Sequence, residues 1–283
     1  MKIFNNIVAA AMLMVAASAA GQSPDDRPER PVLSAYTLEA GSAHLAETYL
    51  SPLKYSGWNI ALGYERMQSM RFSPERWVMQ LQSRLDLQRT QNPARNARML
   101  GLQFDLRWGM AHRWRFAEGW SVFAGGSTGV TAGAIYNTRN SNNPVAAKAA
   151  WTVNALGAVA WNGRFGHLPL CARYQAEMPL TGVFFSPAYG ELYYEIYLGN
   201  HSGLVRGAWP GNYFGLNNML SVDLRFGRTT LRLGYRCNIL STKASHIVTR
   251  RVEHSAVVGL VCEWLSLGPD AAKKNPRIIN ALY

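Results

Sequence analysis

Three observations predict an all-β chain closed into a single antiparallel transmembrane β-barrel of about ten strands. Long stretches alternate apolar and polar residues at a period of two, no apolar run of helical length follows the first twenty residues, and tryptophans gather at the ends of the alternating stretches. In 77–88, Met79, Leu81, Leu85 and Leu87 alternate with Gln80, Gln82, Arg84, Asp86 and Gln88. In 100–110, Leu100, Leu102, Phe104, Leu106, Trp108 and Met110 alternate with Gly101, Gln103, Asp105, Arg107 and Gly109. Successive strand side chains point to opposite faces, so each stretch offers one face to lipid and one to a polar interior. A barrel strand crosses a bilayer in roughly 9–11 residues.

The chain opens with Lys2, an apolar run over 7–17 and the small residues Ser18, Ala19 and Ala20, the pattern of a secretory signal peptide over 1–20. Residues 21–33, with Pro24, Pro28 and Pro31 among charges, read as a mobile periplasmic lead-in. The barrel is expected over 34–265 and a periplasmic tail over 266–283. The residues are 48% hydrophobic and 11% aromatic. Without a helical span, that content leaves a soluble all-β domain or an outer-membrane barrel as the two main options. Cys171, Cys237 and Cys262 are odd in number and widely spaced, against a disulfide framework, and parity places the last two on the apolar face. The net charge of +12 would suggest nucleic acid in a cytosolic protein. Behind a signal peptide the expected anions are lipid phosphates instead.

The strands follow in order: one near 36–44, one around Trp58, Ile60, Leu62 and Tyr64, then the two above. A glycine-rich strand covers 120–136, another 151–161, and a turn at Asn162-Gly163-Arg164 leads into Leu168, Leu170, Ala172, Tyr174 and Ala176. Residues 179–217 form the longest interval without a clear strand pair, with 192–198 readable as a local strand or hairpin arm. The rhythm resumes at Leu220, turns at Gly227-Arg228, returns through Leu231 to Ile239, and closes over 251–265. Short connections near 70–76, 117–119, 162–166 and 227–228 each precede a longer one, which places both chain ends in the periplasm. Trp58, Trp77, Trp114, Trp120, Trp151, Trp161 and Trp264 fall near strand ends on the outward parity, as interface aromatics do.

The segment Val257-Val258-Gly259-Leu260-Val261-Cys262-Glu263-Trp264 resembles the assembly signal of bacterial outer-membrane barrels at Gly259, Cys262 and Trp264. Glu39-Ala40-Gly41, Thr48-Tyr49-Leu50-Ser51-Pro52-Leu53, Leu233-Gly234-Tyr235 and His254 before Gly259 resemble an uncharacterised outer-membrane barrel family of Gram-negative bacteria. The resemblance implies the fold and the outer membrane, and no activity.

The inward parity holds Glu65, Arg84, Asp86, Asp105, Arg107, Arg173, Glu177, Asp223, Arg225, Arg232, Arg236 and Glu263. Both signs occur in comparable number, so a cross-lumen ion-pair network is expected; a narrow small-solute channel is the alternative. A lipid-modifying hydrolase would place a histidine and a serine two apart on one strand, and only Ser42 and His44 do so. His201-Ser202 and His254-Ser255 are adjacent and point to opposite faces. Gly125-Gly126-Ser127-Thr128-Gly129 is followed by no helix pattern and is read as strand, not as a phosphate loop. No cofactor or metal site is expected.

The outer loops lean basic, with Arg89, Arg95 and Arg98, then Arg139 and Lys148, then Lys243, Arg250 and Arg251, suited to lipopolysaccharide phosphates. The expected function is a non-enzymatic surface barrel that binds a glycan or protein through its 179–217 loop. The residues expected to bind are Phe184, Phe185, Tyr189, Tyr193, Tyr194, Tyr197, Trp209 and Tyr213, with Phe214 beside them.

Overall fold

The computed structural model describes residues 29–141, 143–227, 229–264 and 278–282. The signal peptide, most of the lead-in and most of the tail inferred from sequence lie outside the described residues. Eleven strands form among the described residues: β1 Val32–Glu47, β2 Lys54–Ser69, β3 Trp77–Gln91, β4 Arg98–Ala117, β5 Trp120–Asn137, β6 Val145–Phe165, β7 Leu168–Phe185, β8 Val205–Ala208, β9 Tyr213–Phe226, β10 Thr229–Ala244 and β11 Ile247–Trp264. Ten close a ring in which each strand pairs antiparallel with the next, β7 pairs with β9, and β11 returns to β1. The four-residue β8 adds to the far end of β7 outside that ring.

Alternation is what makes this ring possible in lipid. Leu38, Leu62, Leu85 and Phe104 are direct cross-strand partners in one row over β1 to β4, and all are exposed on the outer face. One residue along, Glu39, Ala61, Asp86 and Gln103 form the matching inward row, and all are buried. An apolar outside around a polar inside reverses the arrangement of a water-soluble protein and matches a barrel that faces hydrocarbon. Closure gives each of the ten ring strands a partner on both sides, which hydrocarbon requires because it offers no water to free N–H and C=O groups.

Several boundaries move from the sequence reading. The sixth and last strands begin at Val145 and Ile247, so Lys148 and Arg251 stand on strands and point inward, not in loops. Residues 192–198 form no strand; a helix, α1 Tyr193–Tyr197, stands there, started by the Glu195 carboxylate accepting the Leu192 N–H at 3.0 Å. The expected strict alternation of short and long connections fails at β10 and β11, which join through Ser245 and His246, both with positive φ (47° and 66°), in a tight hairpin turn. At the opposite end Gly119, Gly166 and Gly227, at φ 76°, 61° and 61°, make three other close turns that a side chain would strain. What distinguishes the two ends is the long segment 186–212 between β7 and β9. Both Val32 and Trp264 lie at the other, short-turn end.

That end is sealed by a strap of the chain, residues 278–282. Ala281 and Leu282 are fully buried in an apolar plate with Leu33, Met67, Val78, Phe123, Leu156, Cys171 and Val261. Arg113 holds the strap in place by donating to the Asn280 and Ala281 carbonyls at 2.7 and 2.9 Å while also donating to the Pro74 and Glu75 carbonyls of a turn. Asn162 donates to the Leu282 carbonyl at 3.0 Å, and Ile278 bridges to Glu29. These residues of the expected lead-in and tail are therefore part of the fold.

Burying Leu282 is worth about 1.5–3 kcal/mol, so Leu282→Asp should release the strap and open the plate beneath it. In a background with Cys237→Ser and Cys262→Ser, the buried Cys171 should resist a water-soluble maleimide in the intact protein and react readily in Leu282→Asp. Equal labelling rates would show that the strap does not cover Cys171.

Candidate functional site: a charge-filled lumen under an aromatic cap

The lumen is packed with charge from one end to the other. Nearest the strap, Arg232 holds Asp223 in a two-pronged contact, Nε to Oδ1 at 2.7 Å and Nη2 to Oδ2 at 2.8 Å, and its third nitrogen reaches Glu65. Arg173 closes on the same Glu65 at 2.7 Å. Midway, Glu39 bridges Arg84 and Arg236, each at 2.9 Å, while Arg84 also contacts Asp86 at 3.0 Å and Glu253 at 3.2 Å. Asn59 ties Asp86 to Ser255, and Gln88 spans Asp86 and Glu253. Higher, Arg107 lies 3.7 Å from both Asp105 and Glu177, and Lys148 meets Glu47 at 2.6 Å.

Seven cations and eight carboxylates make these ion pairs, so the interior is close to neutral and the chain's excess positive charge lies elsewhere. An unpaired ion in a space this dry costs several kcal/mol, and only pairing with further hydrogen bonds offsets it. Ten of the twelve residues assigned inward by parity take part. Arg225 is half-buried near its strand end, and Glu263 is exposed at the short-turn rim, where Asn280 donates to it at 3.1 Å. Glu39, Glu47, Lys148, Arg251 and Glu253 were missed. Glu39 and Glu253 were legible, since each lies inside an expected strand, between Leu38 and Ala40 and between Val252 and His254; Glu47, Lys148 and Arg251 sit at or beyond the expected strand ends.

Above the network lies a cavity of about 50 Å³, room for a few waters, lined by Gln103, Thr131, Lys148, Thr249, Arg251 and Phe184 among others. Phe184 and Tyr213 roof this side, with ring centres 5.2 Å apart and both side chains buried. Two of the eight aromatics expected to bind therefore point inward, because β7 and β9 run further than the sequence rhythm indicated. Phe185 and Tyr193 are half-buried and stack at 6.4 Å. Tyr189, Tyr194, Tyr197 and Trp209 remain, between 61% and 83% exposed.

The cap is tethered at several points. Tyr49 donates to the Glu191 carbonyl at 2.7 Å, the Ala147 N–H donates to the Tyr193 hydroxyl at 2.7 Å, and Arg206 donates to Ser245 at 2.7 Å. Burial pushes the Tyr193 phenol up to about 12, so this tether stays neutral at ordinary pH. Asn200 donates to Glu191 within the loop at 2.9 Å.

Ser42 and His44 both face outward and are exposed, but the structure does not join them. His44 turns across to β2, where its Nδ1 lies 3.0 Å from Ser56 Oγ. His254, the partner of Ser42 in register, pairs instead with the Tyr235 hydroxyl at 2.6 Å. Among the described residues no strand carboxylate shares this outward face, so neither histidine has an acid to orient it. No group of three or more His, Cys, Asp or Glu among the described residues is placed to hold a metal ion.

Fold and site together define an inside-out β-barrel with an ion-paired lumen, strapped at one end and capped at the other. The chain belongs to the family described as "Protein of unknown function (DUF3316)", whose model matches residues 7–270. The fold is similar to that of the outer-membrane protease OmpT of Escherichia coli, at 7% identity and TM-score 0.43, covering 87% of this chain and 99% of that one. It is also similar to the translocator domain of the autotransporter NalP of Neisseria meningitidis, at 10% identity and TM-score 0.38, covering 91% and 97%. The transport unit of the autotransporter AIDA-I of Escherichia coli is a third, at 9% identity and TM-score 0.38, covering 89% and 96%. A comparison with curated protein sequences finds no match.

Removing one partner of a buried pair strands the other, at a cost of about 3–5 kcal/mol. Arg232→Met leaves both Glu65 and Asp223 without their shared cation and should lower unfolding stability by that order, read from urea titration of tryptophan fluorescence in detergent micelles. Arg107→Leu, whose contacts are 3.7 Å long, should cost clearly less. Equal costs would contradict the ranking.

Proposed function

We propose that the protein is a non-enzymatic barrel of the outer membrane that presents segment 186–212 as a rigid surface for recognising glycans. The observation that carries this reading is the set Tyr189, Tyr194, Tyr197 and Trp209, large rings left exposed on a loop that is itself tied down. An exposed ring on a tethered loop gives up little further entropy on binding and offers a flat face to a sugar ring. The exposed His201 and Ser202 supply hydrogen-bonding groups between the rings. The outer-membrane location is supported by the apolar exterior and the paired edges of the ring. The small-solute channel is disfavoured by the ion pairs that cross the lumen and by the strap beneath them.

In cells the intact protein should sediment with the outer membrane and require detergent for release; recovery in the aqueous periplasmic fraction would overturn the location. On a panel of immobilised oligosaccharides, the detergent-purified protein should be retained, and the combined variant Tyr194→Ala, Tyr197→Ala, Trp209→Ala should lose at least about 2 kcal/mol of that binding, as loss of central aromatic anchors does. Failure of the intact protein to bind any glycan, or unchanged binding by the variant, would overturn the reading.

A further inference from the structure

The outward-facing cations of the barrel are gathered on one side and at one end. Lys54, Arg89, Arg98, Lys243 and Arg250 have the parity of the lipid-facing residues on their strands, and each lies within three residues of the strand end nearest the cap. They stand on β10, β11, β2, β3 and β4, so with β1 between them these strands form one continuous arc of six of the ten ring strands. The corresponding outward positions of the other four ring strands are Tyr136, Val145, Ala147, Val183 and Phe214, with no charge. At the short-turn end, Arg66 is the one described strand cation of outward parity.

None of the five is ion-paired with a described residue, although the lumen cations nearly all have carboxylates close by. Among the described strand residues every Asp and Glu has the inward parity, so no carboxylate on the outer wall can answer them. Register makes the cations neighbours. Arg89 opposes Leu100 and Gln91 opposes Arg98, which sets Arg89 and Arg98 on a diagonal about 7–8 Å apart. Arg250 and Lys54 both pair with Ala46, from opposite sides of β1. Like charges set this close repel. Solvated interface lysines and arginines would be expected around the whole circumference and with both signs present. An arc of one sign, at the level where hydrocarbon gives way to headgroups, fits an anion that belongs to the membrane.

We infer that this arc of the outer wall is a binding site for the phosphates of a phosphorylated glycolipid of the outer leaflet. The long arms of Arg89 and Arg98 converge on one phosphate through charge-assisted, two-pronged hydrogen bonds, while Arg250, Lys54 and Lys243 serve a second on the neighbouring strands. The acyl chains lie along the apolar rows below, Trp58, Ile60 and Leu62 on β2 and Leu100, Leu102 and Phe104 on β4. The site rests on the membrane location proposed above and is independent of the glycan-binding loop.

The test uses the full chain refolded in zwitterionic micelles, with lipid A carrying both its phosphates, lipid A stripped of phosphate, and inorganic phosphate as separate probes. The intact protein should retain the doubly phosphorylated lipid through gel filtration and bind it at least tenfold more tightly than the stripped lipid. Arg89→Gln with Arg98→Gln should abolish that difference, and Arg89→Lys with Arg98→Lys should keep part of it. Arg115→Gln with Arg164→Gln, at the opposite rim, should leave it intact. Heat-dependent gel mobility reports that each variant is folded. Equal affinity for the two lipids, an undiminished preference in the glutamine variant, or full displacement by millimolar inorganic phosphate would overturn the inference. Failure of the folded chain to enter lipid vesicles at all would instead overturn the membrane location.

Discussion

A charge enclosed by a barrel of this width has no bulk water to fall back on, and the rest of the structure follows from how that is met. Arg232 joins Asp223 on the adjacent strand to Glu65 beyond β1, Glu39 joins Arg84 and Arg236 from either side of its own strand, and Arg173 reaches Glu65 from the opposite wall. Each bridge offsets its desolvation only if the strands that carry it are in register, since a slip of one residue would turn every ion out into lipid. The network therefore fixes register and fills the lumen at once. It also explains why closing the ends with small segments suffices, because there is little free space left to close.

The two ends are closed by different physics. At the short-turn end the seal is apolar: Leu282 and Ala281 complete a plate with Met67, Phe123 and Cys171, and Arg113 meets the strap's carbonyls, which would otherwise be buried without donors. At the other end Phe184 and Tyr213 face each other over the lumen, and polar tethers from Tyr49, Ala147 and Ser245 hold the loop above them. The apolar seal suits a permanent closure. The polar one leaves four aromatic rings facing away from the barrel, free for an external partner.

Sign separation is the second consequence of a neutral lumen. With the strand carboxylates turned inward to pair with arginines, Lys54, Arg66, Arg89, Arg98, Lys243 and Arg250 stand on the outer wall, away from them. Inward, charge serves assembly. Outward, it is confined to six neighbouring strands and is matched only by what the surroundings bring.

The sequence alone determined the class of fold, because a period of two is a local property and survives without knowledge of any partner. It fixed which face of Leu85 and Leu87 meets lipid and which face of Arg84 and Asp86 meets the lumen, and it placed most of the interior ions. It did not locate strand ends, since Lys148 and Arg251 continue their strands through stretches that read as polar loops, nor the helix at Tyr193–Tyr197, whose five residues are too few to show a helical period. The strap was hidden because nothing in Asn280, Ala281 and Leu282 announces that Arg113, 167 residues before Asn280, will gather their carbonyls. Only tertiary structure decided that Phe184 and Tyr213 turn in while Tyr197 and Trp209 turn out, and that His44 reaches Ser56 in place of Ser42. Those choices depend on cross-strand neighbours, and neighbours are set by closure of the ring.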